Sequence, residues 1–295
     1  MGSSMTTIGL PIALGIIMLG LGLSLTVGDF GRVLSQPKAV VAALICQLVL
    51  LPAVCFGLVL LFDLPALLAV GMMLLAASPG GTTANLFSHL FRGDIALNIT
   101  LTAVSSAIAL VTLPLITNFA IDHFAPFDDQ LGMQWRKVLE VFAIVLVPVA
   151  IGMAVRRFRP RFAERMDRPV RIVSVVVLVV VVAGAVASNW TLLADNAGQL
   201  ALITVTFCVL SLGIGYLVPR LLRVSRPQAI ASSFEIGIHN ATLAIVIGQT
   251  VLGSVGLSLP AAVYGVLMFF IAFGFGLLIR DRAAAGATTP LPART

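Results

Sequence analysis

The chain has 295 residues, 59 % of them hydrophobic and 10 % charged, with a net charge of +6 and a mean hydropathy of +1.10. A soluble domain carries roughly 25 % charged residues to keep its surface wet, so most of this exterior must face lipid. The basic residues sit in short clusters between apolar runs, which argues against a nucleic-acid partner and for loops held at one membrane face. Cys46, Cys55 and Cys208 all lie inside apolar runs without CxxC or Cys/His spacing, so neither a disulfide framework nor a metal cluster is indicated.

A helix needs about 20 apolar residues to cross ~30 Å of hydrocarbon. By that ruler the sequence predicts an all-α polytopic membrane protein with nine transmembrane helices, at 8–27, 39–61, 66–90, 95–118, 134–154, 170–188, 199–218, 228–250 and 260–279. The first run lacks a basic n-region and reads as a true span rather than a cleaved signal. Alternate connections carry Arg32 and Lys38, Arg92, the arginine-rich segment 156–171, then Arg220, Arg223 and Arg226; the opposite ones carry Asp63, Asp122, Asp128, Asp129 and Asp195. This asymmetry predicts an N-terminus outside and a C-terminus in the cytoplasm, with 156–171 a topology anchor between two helices. Residues 282–295, small and Pro-containing, read as a disordered cytoplasmic tail. A bacterial inner (plasma) membrane and a monomer are the default expectations.

Two spans differ from the uniform Val/Leu/Ile/Ala runs. The third contains Ser78-Pro79-Gly80-Gly81-Thr82-Thr83-Ala84-Asn85, and the eighth contains Ser232-Ser233-Phe234-Glu235-Ile236-Gly237-Ile238-His239-Asn240-Ala241-Thr242. Pro-Gly-Gly in mid-span should break the helix, and broken backbone at membrane depth is tolerated only where it lines protein or water. The two spans lie five apart, so they cross in opposite directions. That spacing predicts inverted repeats, 1–118 with its broken helix at 66–90 and 119–281 with its broken helix at 228–250, whose broken helices cross.

Glu235 is the central residue of this reading. A carboxylate at the bilayer centre costs several kcal/mol and must be neutralised by a proton, a basic side chain or a cation. No Lys or Arg lies deep in a span, which leaves a hard monovalent cation held by oxygen ligands, or a proton that cycles. His239, four residues on, is either a polar cavity residue, a proton-coupling partner or a substrate contact.

Taken together, the stretch Gly15 to Leu25, the Ser78-Pro79-Gly80-Gly81-Thr82 run through Asn85, Arg92-Gly93-Asp94-Ile95-Ala96-Leu97 and Glu235-Ile236-Gly237-Ile238-His239-Asn240 resemble the bile acid:sodium symporter family over nearly the whole chain. The resemblance implies a panel and a core domain with two crossing broken helices, and secondary active transport of an organic anion driven by sodium. By motif position it implies one sodium site at Asn85, Asn98, Thr102 and Glu235. A second would use Gln47, Glu235, His239 and the carbonyls of Ile236 and Ile238. Thr82, Thr83, His239 and Asn240 would meet the substrate. Ala84 stands where the family commonly has Ser, Asn98 where it has Ser, and His239 where it usually has Gln. Imidazole is a poor sodium ligand, so one sodium, or one sodium and one proton, is an alternative stoichiometry.

The expected function is therefore sodium-coupled symport, by alternating access, of a bile-acid-like anion, a steroid sulfate or a small carboxylate such as pantoate. Sodium is the coupling ion and no cofactor is needed. The alternative on the same fold is proton coupling through Glu235 and His239. An intramembrane enzyme is disfavoured, because neither HExxH nor a paired Asp accompanies Glu235.

Overall fold

The structure is a computed structural model that describes residues 15–16, 18–20, 22–81, 83–125, 135–188 and 190–280. Among these the secondary structure is helical apart from one isolated β-bridge. The helices are α1 (Val27–Gly31), α2 (Pro37–Leu61), α3 (Ala66–Ala77), α4 (Ala84–Leu90), α5 (Ile95–Phe124) and α6 (Trp135–Phe158), then α7 (Pro160–Ser188), α8 (Trp190–Leu221), α9 (Arg226–Gly237), α10 (Ala241–Val251) and α11 (Gly256–Ile279). Four of the described helices, α2, α5, α8 and α11, are long and apolar enough to cross a membrane. Their outward side chains, such as Val49, Leu115, Leu217 and Phe270, stand exposed. A soluble protein would bury these, so the chain is an integral membrane protein.

Two ends of the bundle can be told apart by hydrogen bonds. At one, Gln36 Nε2 donates to Asp94 at 3.2 Å, Gln228 donates to Gln36 at 3.0 Å and Arg226 donates to the Ile279 carbonyl at 2.5 Å. This end gathers the connections that carry Arg92 and Arg226. At the other, Gln199 donates to the Phe62 carbonyl, beside Asp63. The connections that carry Arg92 and Arg226 thus lie at the end of the bundle opposite to the turn that carries Asp63.

α5 and α9 run side by side in the same direction. The Asp94 amide donates to the Pro227 carbonyl, Asn98 to the Ala231 carbonyl and Thr102 to Glu235, all at one offset of 133 residues. A constant offset requires parallel helices in register. Eight residues at 1.5 Å rise put Glu235 about 12 Å along α9 from Pro227, close to half of a ~30 Å hydrocarbon layer. α8 packs antiparallel on the other side of α9, where Ser233 donates to the Leu212 carbonyl at 2.7 Å.

The third and eighth spans are interrupted as expected, but several boundaries differ from expectation, among them the end of the fifth span, which runs on to Phe158, and the start of the seventh, which begins at Trp190. The fourth span continues to Phe124, so a division of the chain at 118 falls inside a helix. The sixth begins at Pro160 and carries much of the arginine-rich segment with it. Arg, Glu and Met are good helix formers, Pro is favoured in the first turn, and only Arg159 separates α6 from α7. The third and eighth spans are each two helices, as the next subsection details. The tail 282–295 lies outside the described residues.

The first span meets α6 at backbone distance. A Cβ on Gly152 would lie 2.6 Å from the Leu19 carbonyl oxygen, and one on Gly22 would collide with that of Val149. Overpacking of this kind costs about 1–3 kcal/mol. Gly152→Ala should therefore lower the thermal unfolding midpoint of the purified protein. Gly57→Ala, with nothing within 4 Å of the added carbon, should leave it unchanged.

Candidate functional site

Both interruptions have local causes. Ser78 precedes a proline, which disfavours the helical region for it; its backbone is extended, with φ −70° and ψ 146°. α9 ends at Gly237, and α10 restarts at Ala241 with Asn240 as its cap, Oδ1 accepting from the Leu243 amide at 3.0 Å. The two extended segments then satisfy each other. Gly80 and His239 form an antiparallel bridge, with the Gly81 amide donating to the Ile238 carbonyl at 2.6 Å and the Asn240 amide to the Pro79 carbonyl at 2.8 Å. Tyr264, from α11, donates to the Gly237 carbonyl at 2.8 Å. Two interrupted helices meet here, running in opposite directions.

Glu235 sits beside this bridge and is fully buried. Thr102 donates to its Oε2 at 2.6 Å, and Ser105 lies 3.3 Å from its Oε1. No Lys or Arg pairs with it among the described residues. The carboxylate occupies the space a side chain on Gly80 would fill, since a Cβ there would collide with it. One turn earlier on both helices, Asn98 donates through Nδ2 to the Ala231 carbonyl at 2.8 Å and to Ser88 at 2.9 Å. Its buried Oδ1 has no hydrogen-bond partner among the described residues. An anionic carboxylate, two hydroxyls and an unpartnered amide oxygen are all hard oxygen donors, a set suited to a small cation.

His239 is held differently. Its ring stacks on Phe207 at 5.4 Å and meets the edge of Tyr264 at 5.5 Å. Nδ1 lies 3.4 Å from the Ser78 carbonyl, and Nε2 is buried without a partner among the described residues. Gln47 is buried on a widened, π-type turn of α2, Cys46–Leu50, which packs against α8, the helix that carries Phe207. Its Nε2 likewise lacks a partner among the described residues. Ile236 and Ile238 flank Gly237 at the break, and the Ile238 carbonyl is committed to Gly81. Thr83 and Asn85 open α4, the half-helix that follows the first break. Thr82 lies outside the described residues.

The expected residues therefore fall into two groups around one crossing. Glu235, Thr102 and Asn98 are joined directly by the α5–α9 ladder. His239, Ile236 and Ile238 belong to the same segment as Glu235, but His239 faces an aromatic surround, and Gln47 makes no hydrogen bond to either group among the described residues. Ser105, Ser88, Gly80 and Tyr264 are additional members. The spacing of Thr102 and Ser105 at i and i+3 on one helix face was the available signal for Ser105.

A cavity of about 160 Å³ lies against the crossing, between the first span, α5, α6 and α10. Pro79 and Asn240 line it, while their chain neighbours Gly80 and His239 form the bridge. The bridge thus has the carboxylate on one side and the cavity on the other. Thr102→Val keeps shape and removes the shorter contact to the carboxylate. It is expected to lower the thermal midpoint more than Ser105→Ala does, a hydrogen bond to a charged group being worth about 1.5–3 kcal/mol. Equal losses from the two variants would contradict this ranking.

Residues 11–196 match the Sodium Bile acid symporter family. The Bacillus subtilis (strain 168) protein named uncharacterized sodium-dependent transporter YocS is 30 % identical over 261 residues, covering 87 % of this chain and 78 % of its own. The rice (Oryza sativa subsp. japonica) protein named probable sodium/metabolite cotransporter BASS2, chloroplastic, is 26 % identical over 271 residues, 92 % of this chain and 64 % of its own. The human P3 protein is 27 % identical over 216 residues, 73 % of this chain and 45 % of its own. The match thus spans less than two thirds of the plant relative and under half of the human one. With its interrupted helices, its buried glutamate and this match, the chain belongs to the sodium bile acid symporter family.

Proposed function

We propose that the protein is a sodium-coupled symporter of an organic anion that works by alternating access. The observation that carries this reading is the fully buried Glu235 carboxylate, which has two hydroxyls and, among the described residues, no cationic side chain for company. Such a group resists remaining ionised at membrane depth without a bound cation. Sodium is the cation that suits the set of hard oxygens, and relatives named as sodium-dependent transporters support it.

Sodium would sit among Glu235, Thr102, Asn98 and Asn85, satisfying the Asn98 Oδ1 that lacks a donor. A second site would draw on Gln47, His239 and the carbonyls of Ile236 and Ile238. The anion would occupy the adjoining cavity, near Asn240, Thr82 and Thr83, where the N-terminal end of α10 adds positive potential. Because Pro79 and Asn240 border the cavity and Gly80, next to Pro79, borders the carboxylate, fixing the bridge with sodium would also fix the cavity wall. Two inverted repeats within 1–118 and 119–281, nine crossings, an outside N-terminus and a monomer in a bacterial inner membrane complete the reading.

The test needs no substrate. Thermal stability of the purified protein should be higher in sodium chloride than in potassium chloride at equal ionic strength. The gain is about 2.7 kcal/mol at a hundredfold excess over Kd. Glu235→Gln should abolish the difference. A sodium-specific gain that survives the substitution would remove Glu235 from the site.

A second reading, proton coupling through Glu235 and His239, is favoured by the unpartnered His239 Nε2. It expects uptake driven by a pH gradient in the absence of sodium, and a shift toward sodium dependence in His239→Gln. Uptake that follows sodium alone in both proteins would reject it.

A further inference from the structure

We propose that the turn between α6 and α7 is a binding site for anionic phospholipid headgroups, with arginines on the phosphates and two phenylalanines against the acyl chains beneath them. The site lies away from the crossing and does not depend on the transport reading.

Residues 156–165 hold five arginines, two phenylalanines and a single acid, Glu164. A topology anchor needs only positive charge; the arrangement here is more particular. α7 sets Ala163 and Val170 against Leu23 of the first span, with Met166 packed on the same cluster. Residues at that spacing share one face of a helix, which turns Arg161, Phe162 and Arg165 outward, where all three are exposed. Arg157, Phe158 and Arg159, at the end of α6 and in the turn, are exposed with them. Phe158 is 75 % exposed and Phe162 54 %, so two large rings stand uncovered among the charges.

From Leu23 the chain runs through α1 to Gln36, which places the turn toward the end of the bundle that carries Arg92 and Arg226. Other arginines at that end are used internally. Arg220 donates to the Val224 carbonyl at 3.0 Å and Arg226 to the Ile279 carbonyl, each at the end of a helix. At the α6–α7 turn only Arg156 is paired among the described residues, 3.7 Å from Glu164. The side chains of Arg157, Arg159, Arg161 and Arg165 make neither a hydrogen bond nor an ion pair among those residues.

Four guanidinium groups are thus available beside two exposed rings. A guanidinium matches two phosphate oxygens at once. Rings beside charges suit the boundary where acyl chains meet headgroups, the ring facing the chains and the guanidinium reaching up to the phosphate. A zwitterionic headgroup brings its own cation, which the cluster repels; a headgroup with net negative charge does not. The site should therefore prefer phosphatidylglycerol to phosphatidylcholine.

The test is binding of these two lipids, with matched chains and a fluorescent label, to the purified full chain in neutral detergent. Phosphatidylglycerol should bind at least tenfold tighter, since each arginine near an anionic surface contributes about fivefold. Arg157→Gln, Arg161→Gln and Arg165→Gln combined should bring the ratio close to one. The charge-matched control, Arg92→Gln, Arg223→Gln and Arg280→Gln combined, should leave it unchanged. Phe158→Ala with Phe162→Ala should weaken both lipids alike. Unfolding without lipid at an unchanged midpoint would show that each variant is folded; if a triple variant is not, Arg161→Gln alone must still lower the ratio. Equal binding of the two lipids, equal losses in the two triple variants, or displacement of phosphatidylglycerol by inorganic phosphate at the same concentration would overturn the proposal.

Discussion

A carboxylate about 12 Å into the bundle, without a cationic neighbour among the described residues, is the constraint around which the rest of the site is arranged. Its ionised form needs a cation, and its neutral form needs a proton; neither can be supplied by a side chain already present beside it. The surrounding groups reflect this. Two hydroxyls approach the carboxylate, and a glycine withdraws to make room for it. The nearby asparagine spends both amide hydrogens on protein acceptors and leaves its oxygen buried. An apolar residue at this position would pack more cheaply, so packing alone does not account for the arrangement.

Holding such a group requires broken backbone, and broken backbone in lipid requires partners. The bridge between the two interruptions supplies them reciprocally, with Tyr264 taking a carbonyl at the end of α9. The uninterrupted α5 supplies rigidity alongside. Its registered ladder to α9 starts at the polar end of the bundle and finishes at the carboxylate itself. The site is therefore referenced to one continuous helix, although the segment that carries Glu235 is short.

The sequence made the broad architecture legible because lipid forces long apolar runs and leaves little freedom in where they stop. Pro79-Gly80-Gly81 and the polar run around Glu235 announced the two interruptions for the same reason: nothing in a lipid-facing helix calls for them. What was not legible is partnership across the chain. Ser105 belongs with Glu235, yet a serine in an apolar helix usually bonds its own backbone and gives no sign of a distant carboxylate. The start of α7 was missed because the arginine-rich segment was read for its charge, while its helix-forming residues outside the hydrocarbon let the helix continue.

The crossing is made of extended backbone only a few residues long, and such backbone presents successive residues to opposite sides. Gly80 abuts the carboxylate while Pro79 abuts the cavity; His239 sits in its aromatic surround while Asn240 abuts the cavity. A helix in the same place would mix these roles around its circumference. Here they are sorted by alternation along each strand, Pro79 and Asn240 on one side and Gly80 and His239 on the other. Substitutions at Pro79 or Asn240 therefore reach the cavity wall first, and a substitution at Gly80 reaches the carboxylate first. A chain of this form can reshape its cavity without disturbing its buried acid.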